Sequence, residues 1–226
     1  MRAIKALATM ISREMPDLVI VTGDISFAVP YISGTCNNAY AHRLFGRIME
    51  RLGVYYTIAL GNHDSESYNY YGRQSVGKMY EDEDLEYCLF KDEGEISGVG
   101  NHEIRVKNSK GLVTESFYMI DSHAYTDDDP LGIKWDYDYV KDDQIDWYEA
   151  RVKRAVTDNA ALYVSLPTEQ KAEYSELLLP KSLVFMHIPP YEVKVAYDEY
   201  VNNGRENTDT VQFVNGSQCQ PKLNPF

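Results

Sequence analysis

Hydrophobic and polar positions alternate along this chain in blocks that change period several times. Ile4, Leu7, Ala8, Ile11 and Met15 recur at helical spacing, which predicts a helix over 2–14 that Pro16 stops. Leu18 to Thr22 is an unbroken apolar run of strand length. Residues 27–36, with Pro30 and Gly34, read as loop. Asn37 or Asn38 then caps a helix to about Leu52, whose Leu44, Phe45, Ile48, Met49 and Leu52 share one face. Gly53 ends it and Val54 to Leu60 reads as a second buried strand. Strand, helix, strand in this order implies a parallel crossover. Short helices are expected over Arg73–Tyr80 and Asp82–Phe90. Glu103–Lys107 and Ser116–Asp121 alternate like an antiparallel pair around a turn at 108–111, giving a second sheet, mixed or antiparallel. A helix over 142–156 places Ile145, Tyr148 and Val152 on one face. Another spans Thr168–Leu178, and a third apolar strand, Leu183 to Met186, follows. No repeat or low-complexity linker divides the chain, so residues 1–226 read as one α/β domain.

The chemistry sits where these strands stop. The first runs into Gly23-Asp24, the second into Gly61-Asn62-His63-Asp64 and the third into His187-Ile188-Pro189-Pro190. The carboxyl ends of strands are where open α/β sheets build their sites. Taken singly, each signal has an ordinary explanation. Gly-Asp after a strand is a common turn, Asn and Asp make Asx-turns, and a lone histidine is more often structural. Three ligand-bearing strand ends in one chain are much harder to obtain by accident.

Composition narrows the function classes. A net charge of −13 and a pI near 4.8 argue against nucleic acid, whose phosphates need Lys and Arg. A small phosphorylated substrate remains compatible, because bound cations supply local positive charge. No run approaches the ~20 apolar residues of a membrane span, so no membrane partner is expected, and the start lacks the apolar core of a signal peptide. Cys36, Cys88 and Cys219 are widely spaced without a CxxC pair. That spacing fits a reducing, cytoplasmic setting, with one disulfide and a spare thiol as the alternative. The acidic, aromatic stretch 124–139 reads as a loop, and the tail after Tyr200 shows no final element.

Asp24, Asn62 and His187 offer a carboxylate, an amide oxygen and an imidazole, a set suited to Mn, Fe or Zn. Two such ions ~3.5–4 Å apart activate water and neutralise a phosphoryl group, and Asp24 suits the bridging position. Asn62 also lies within reach of substrate. His63, one residue further on, is placed to donate a proton to a leaving oxygen, and Asp64 to hold its ring. Loops 65–80 and 124–140 are the expected pocket walls. Within the first of them Arg73 is either a phosphate contact or one half of an ion pair.

The segments PDLVIVTGD (16–24), ALGNHDSES (59–67) and FMHIPPYE (185–192) resemble the middle motifs of the calcineurin-like metallophosphoesterases, in the branch related to purple acid phosphatases. The resemblance covers most of the chain. It implies a four-layer αββα sandwich with a dinuclear metal site at the sheet ends, here incomplete at both ends. Asp24 would bridge two metals, Asn62 and His187 would bind one of them, and His63 would assist catalysis. The implied reaction is hydrolysis of a phosphate monoester by a metal-activated hydroxide. A phosphodiesterase or nucleotide pyrophosphatase, or an impaired domain acting as a binding module, are the alternatives. Three departures bear on this. No Asp-x-His strand precedes residue 18, and no histidine follows His187 to complete a Gly-His-x-His motif. Phe27 stands where the purple enzymes carry a tyrosine ligand, which removes an iron–tyrosinate centre. One metal position keeps three ligands and the other little beyond Asp24.

Overall fold

The structure is a computed structural model that describes residues 2–81, 84–126 and 137–212. Elements follow in the order α1 (Arg2–Glu14), β1 (Leu18–Val21), α2 (Pro30–Ser33), α3 (Ala39–Leu52), β2 (Tyr55–Ile58), α4 (Arg73–Tyr80), β3 (His102–Lys107), β4 (Val113–Met119), α5 (Asp142–Ser165), α6 (Thr168–Lys171), β5 (Lys181–Phe185) and α7 (Tyr191–Asn202). They build two sheets flanked by helices, the α/β architecture of a metallophosphoesterase sandwich. In the first sheet β1 and β2 run parallel, Val21 opposite Ile58. Both strand ends, and therefore Asp24 and Asn62, emerge at the same edge. In the second sheet β4 lies between antiparallel β3 and parallel β5, so this sheet is mixed. Among the described residues no helix is long and apolar enough to cross a membrane.

One apolar core forms around β2. Tyr56, Ile58 and Leu60 are fully buried among Ile11, Met49, Val76, Tyr80, Phe90 and Val99. The contributors come from α1, α3, α4, the strand and its flanks, and the segment between α4 and β3 that carries Phe90 and Val99, so burial of this set orders the scaffold beneath the β1 and β2 ends. Gly53, at φ +63°, closes α3 in the left-handed conformation and its N–H returns to Met49 and Glu50 carbonyls, a glycine stop of the usual kind.

Several expected elements differ. The helix expected over 82–90 does not form among its described residues. Leu89 N–H donates to the Tyr56 carbonyl at 2.8 Å and Tyr56 N–H to the Tyr87 carbonyl at 3.0 Å, so Cys88 pairs alongside β2. The Glu50 carboxylate holds Glu86 N–H and Tyr87 N–H, leaving those groups unavailable to a helix. Asp82 and Glu83 lie outside the described residues. Helix α5 runs to Ser165, beyond the expected 156, and Ile145 faces outward at 47 % exposure while Gln144 is buried. The inner face is Gln144, Tyr148, Ala155 and Asn159. It is chosen by polar work: Gln144 Nε2 donates to the Asp121 carbonyl at 2.7 Å, and Asn159 both accepts from Val113 N–H and donates to its carbonyl. Buried backbone groups need such partners. Asn159 also takes the Leu177 carbonyl, and the helix expected over 168–178 is split into α6 and a 3₁₀ turn at Ser175–Leu178. Pro30 starts a one-turn helix inside the expected loop, capped by Gly34 at φ +72°. Strand β5 is an edge strand, so Leu183 and Val184 stay half exposed.

Candidate metal and catalytic site

Three loops meet at the ends of β1, β2 and β5. The approach of the first two is extremely close. Gly23 sits at φ +91°, and a Cβ there would stand 2.3 Å from the Gly61 nitrogen. A Cβ on Gly61 would in turn stand 2.3 Å from Asp24 Oδ1. Only glycine fits at both positions. Asp24 itself adopts φ +57°, a left-handed conformation that is uncommon for a non-glycine residue and concentrates at functional sites.

Asp64 holds this arrangement together. Its Oδ2 accepts from Asp24 N–H at 2.9 Å and from Gly61 N–H at 2.8 Å, and its Oδ1 accepts from Ser26 N–H at 2.9 Å. His42 Nε2 lies 3.5 Å away, both side chains fully buried. The expectation that Asp64 holds the His63 ring is therefore corrected: its carboxylate is consumed by the backbone of both loops. Glu66 takes that position instead. His63 Nδ1 donates to Glu66 Oε1 at 2.5 Å, and the Phe27 ring meets the imidazole edge-on at 4.7 Å. A turn of 3₁₀ helix at His63–Ser65 puts residues three apart on one side, which is the local signal that identifies Glu66.

Arg73 is likewise committed. Its Nε donates to Asp121 Oδ2 at 2.7 Å, and one terminal nitrogen donates to Asp121 Oδ1 and to the Leu60 carbonyl. The other donates to the Gly61 carbonyl at 2.8 Å and to Ser65 Oγ at 3.3 Å. All five N–H groups of the guanidinium are used. Of the two roles open to it, Arg73 has the ion pair, and the expectation of a phosphate contact is corrected: it clamps the strand end beneath the site.

Asp24, Asn62 and His187 converge. His187 Nε2 stands 3.1 Å from Asn62 Oδ1 and 3.3 Å from Asp24 Oδ2. Donors bound to one ion at roughly 2.1 Å stand roughly 3.0–3.4 Å from each other in octahedral or tetrahedral shells. The observed spacings fall in that interval. The far nitrogen, Nδ1, donates to the Thr22 carbonyl at 2.6 Å, the backbone anchor typical of a metal-binding imidazole. The set therefore fits one divalent cation. Among the described residues no three His, Cys, Asp or Glu side chains gather around a cation position, and the third donor here is an amide. The field at this point favours positive charge. The hydrogen bond to Asp24 raises the His187 pKa against an opposing burial effect. Burial alone would raise Asp24, but the hydrogen bond and charge of His187, with His63 N–H, outweigh it and hold the carboxyl below its ordinary value.

A residue without any local sequence signal completes the site. Tyr125 hydroxyl accepts from Asn62 Nδ2 at 2.7 Å and donates to Glu66 Oε1 at 3.1 Å. It stacks on Tyr137, ring centroids 5.6 Å apart. These two tyrosines flank residues 127–136, and that part of the expected pocket wall lies outside the described residues, as do Cys219 and the tail from 213 onward. Cys36 and Cys88 are free thiols.

A family model, calcineurin-like phosphoesterase, matches residues 1–216. A curated relative from Arabidopsis thaliana, named Probable inactive purple acid phosphatase 14, is 25% identical over 229 residues, covering 96% of this chain and 50% of the relative. The chain thus spans about half the length of that relative. No solved structure matches it.

Proposed function

Because the chain belongs to the calcineurin-like phosphoesterase family, we propose that it hydrolyses phosphate monoesters at the joined ends of β1, β2 and β5, using a divalent cation held by Asp24, Asn62 and His187. The observation that carries this reading is the meeting of those three donors at 3.1 and 3.3 Å from three separate loops, with His63 beside them. Members of the family usually use divalent metals, and Mn, Fe or Zn suit this oxygen and nitrogen set. When bound, the cation supplies neutralisation of the phosphoryl charge and activation of water.

The chain's own groups do the rest. Asp24 and Asn62 fix the cation side of the substrate, and the Thr22 carbonyl keeps the His187 ring oriented. His63 Nδ1–H is committed to Glu66, so any proton exchanged with substrate passes through Nε2. With His63 protonated at both nitrogens, Nε2 gives its proton to the leaving oxygen as the ester P–O bond breaks; the attacking water forms the new P–O bond, and the proton it gives up to solvent restores the imidazolium. Phe27 against the ring excludes water from one edge of His63.

Among the described residues the gathered donors serve one cation position rather than two, and we take this to imply weak turnover. A second reading follows from that and from the word "inactive" in the relative's name: a domain that binds a phosphorylated ligand without hydrolysing it. One assay separates the two. An aryl phosphate is offered with Mn, Fe or Zn, beside the corresponding diester. Slow, metal-dependent release of the phenol, lost in Asp24→Ala and in His63→Ala, is expected. Equal rates in both variants would remove the site from consideration. Ligand binding without turnover in any metal would favour the binding domain. Metal analysis is expected to find no more than one tightly held ion per chain.

A further inference from the structure

The geometry points to Tyr125 and Glu66 as positioning residues that orient both halves of the site through one directed chain of hydrogen bonds. The inference rests on the proposed cation position and adds to it two residues and a mechanism of orientation. The chain has a fixed sense. Asn62 Nδ2 donates to the Tyr125 hydroxyl, the hydroxyl donates to Glu66 Oε1, and the same Oε1 accepts from His63 Nδ1. Glu66 is almost fully buried, at 4 % exposure, and as a carboxylate it can only accept. That forces the hydroxyl proton toward Glu66. The hydroxyl then presents a lone pair to Asn62, which must offer its NH₂ and turn its oxygen the other way. The oxygen consequently faces His187 Nε2 at 3.1 Å, the orientation a cation ligand needs.

A flipped amide would turn NH₂, which cannot bind a cation, toward His187 and oppose two oxygen lone pairs at Tyr125. At the other end, the same carboxylate selects the Nδ1–H form of His63 and leaves Nε2 for substrate. One buried acid thus sets the amide through the phenol and the imidazole directly. The Tyr137 ring stacked on Tyr125 holds the phenol in place.

Two variants separate the ends of the chain. Tyr125→Phe keeps the ring and removes the hydroxyl. In the metal-free protein the Asn62 side-chain amide resonances should move, and Mn²⁺ affinity by calorimetry should fall about 10–100-fold, the usual effect of losing a partner behind a ligand. Glu66→Met should move the His63 ring ¹⁵N shifts away from the Nδ1–H form. A general structural weakening would not distinguish Asn62 from a symmetric carboxylate. In an Asn62→Asp background, Tyr125→Phe should therefore cost less than about threefold in Mn²⁺ affinity, because no amide needs orienting. Unmoved Asn62 resonances and unchanged Mn²⁺ affinity in a folded Tyr125→Phe protein would overturn the inference, as would an unchanged His63 tautomer in Glu66→Met. If the wild-type protein binds no Mn²⁺, the proposed function fails, while the amide and ring resonances still decide the orientation.

Discussion

Removing the Arg73 guanidinium should unfold the protein far more readily without acting through substrate. The side chain is 14 % exposed and its partner Asp121 is fully buried. Asp121 also accepts from Val99 N–H at 2.7 Å and His123 N–H at 2.9 Å, so those two bonds alone would be left to support a buried carboxylate. The Leu60 and Gly61 carbonyls would lose their donors as well. Breaking a buried pair by deleting one partner costs roughly 3–5 kcal/mol, much of it the charge left behind. With a urea dependence of about 2–3 kcal/mol/M for a chain of this size, Arg73→Ala should lower the unfolding midpoint by about 1–2.5 M. Arg73→Lys keeps the charge with three donors instead of five, and should lose less. Urea titration followed by tryptophan fluorescence gives the midpoints, and calorimetry with inorganic phosphate on the folded protein gives binding. A midpoint unchanged in Arg73→Ala, together with lost phosphate binding, would refute the clamp and restore Arg73 as a substrate contact.

Other perturbations have equally definite outcomes. Asp64→Asn turns an NH₂ toward one or more of the backbone N–H groups of Asp24, Gly61 and Ser26, and should cost about 1–3 kcal/mol in thermal unfolding; an unchanged midpoint would contradict its bracing role. Gly61→Ala pushes a methyl against Asp24 Oδ1, so Mn²⁺ binding should weaken strongly, and calorimetry showing wild-type affinity would exclude the close approach. His102 is buried between Thr57 Oγ1 at 2.6 Å and the Gly100 carbonyl at 2.7 Å, and burial pushes its pKa down to about 4. The unfolded chain, near 6.5, binds the proton first. Stability from this group is thus complete above pH 6.5 and falls as pH drops toward 4, by roughly 3 kcal/mol in all. Denaturation between pH 4 and 7 should show that slope, and His102→Gln should flatten it.

The strand ends were legible because period and chemistry coincide there. Apolar runs stop at Asp24, Asn62 and His187, and parallel pairing of β1 with β2 delivers two of those residues to one edge. The short helix over Arg73–Tyr80 was legible for the same local reasons. Roles were less so. Asp64 and Glu66 both stand within reach of His63 in sequence, and only the 3₁₀ turn decides that Glu66 faces the ring. Tyr125 lies 63 residues from Asn62, in a stretch whose tyrosines are indistinguishable without the fold. Ile145 misled because an apolar residue marks a core face only when no buried backbone group competes. Gln144 wins the inner position by serving Asp121, Asn101 and His123.

A crystal soaked in Mn²⁺ and measured for anomalous scattering tests the central claim most directly. The account predicts one peak at about 2.0–2.3 Å from Asp24 Oδ2, Asn62 Oδ1 and His187 Nε2, lost in His187→Ala. Manganese bound elsewhere, with those three side chains still in direct contact with one another, would contradict it.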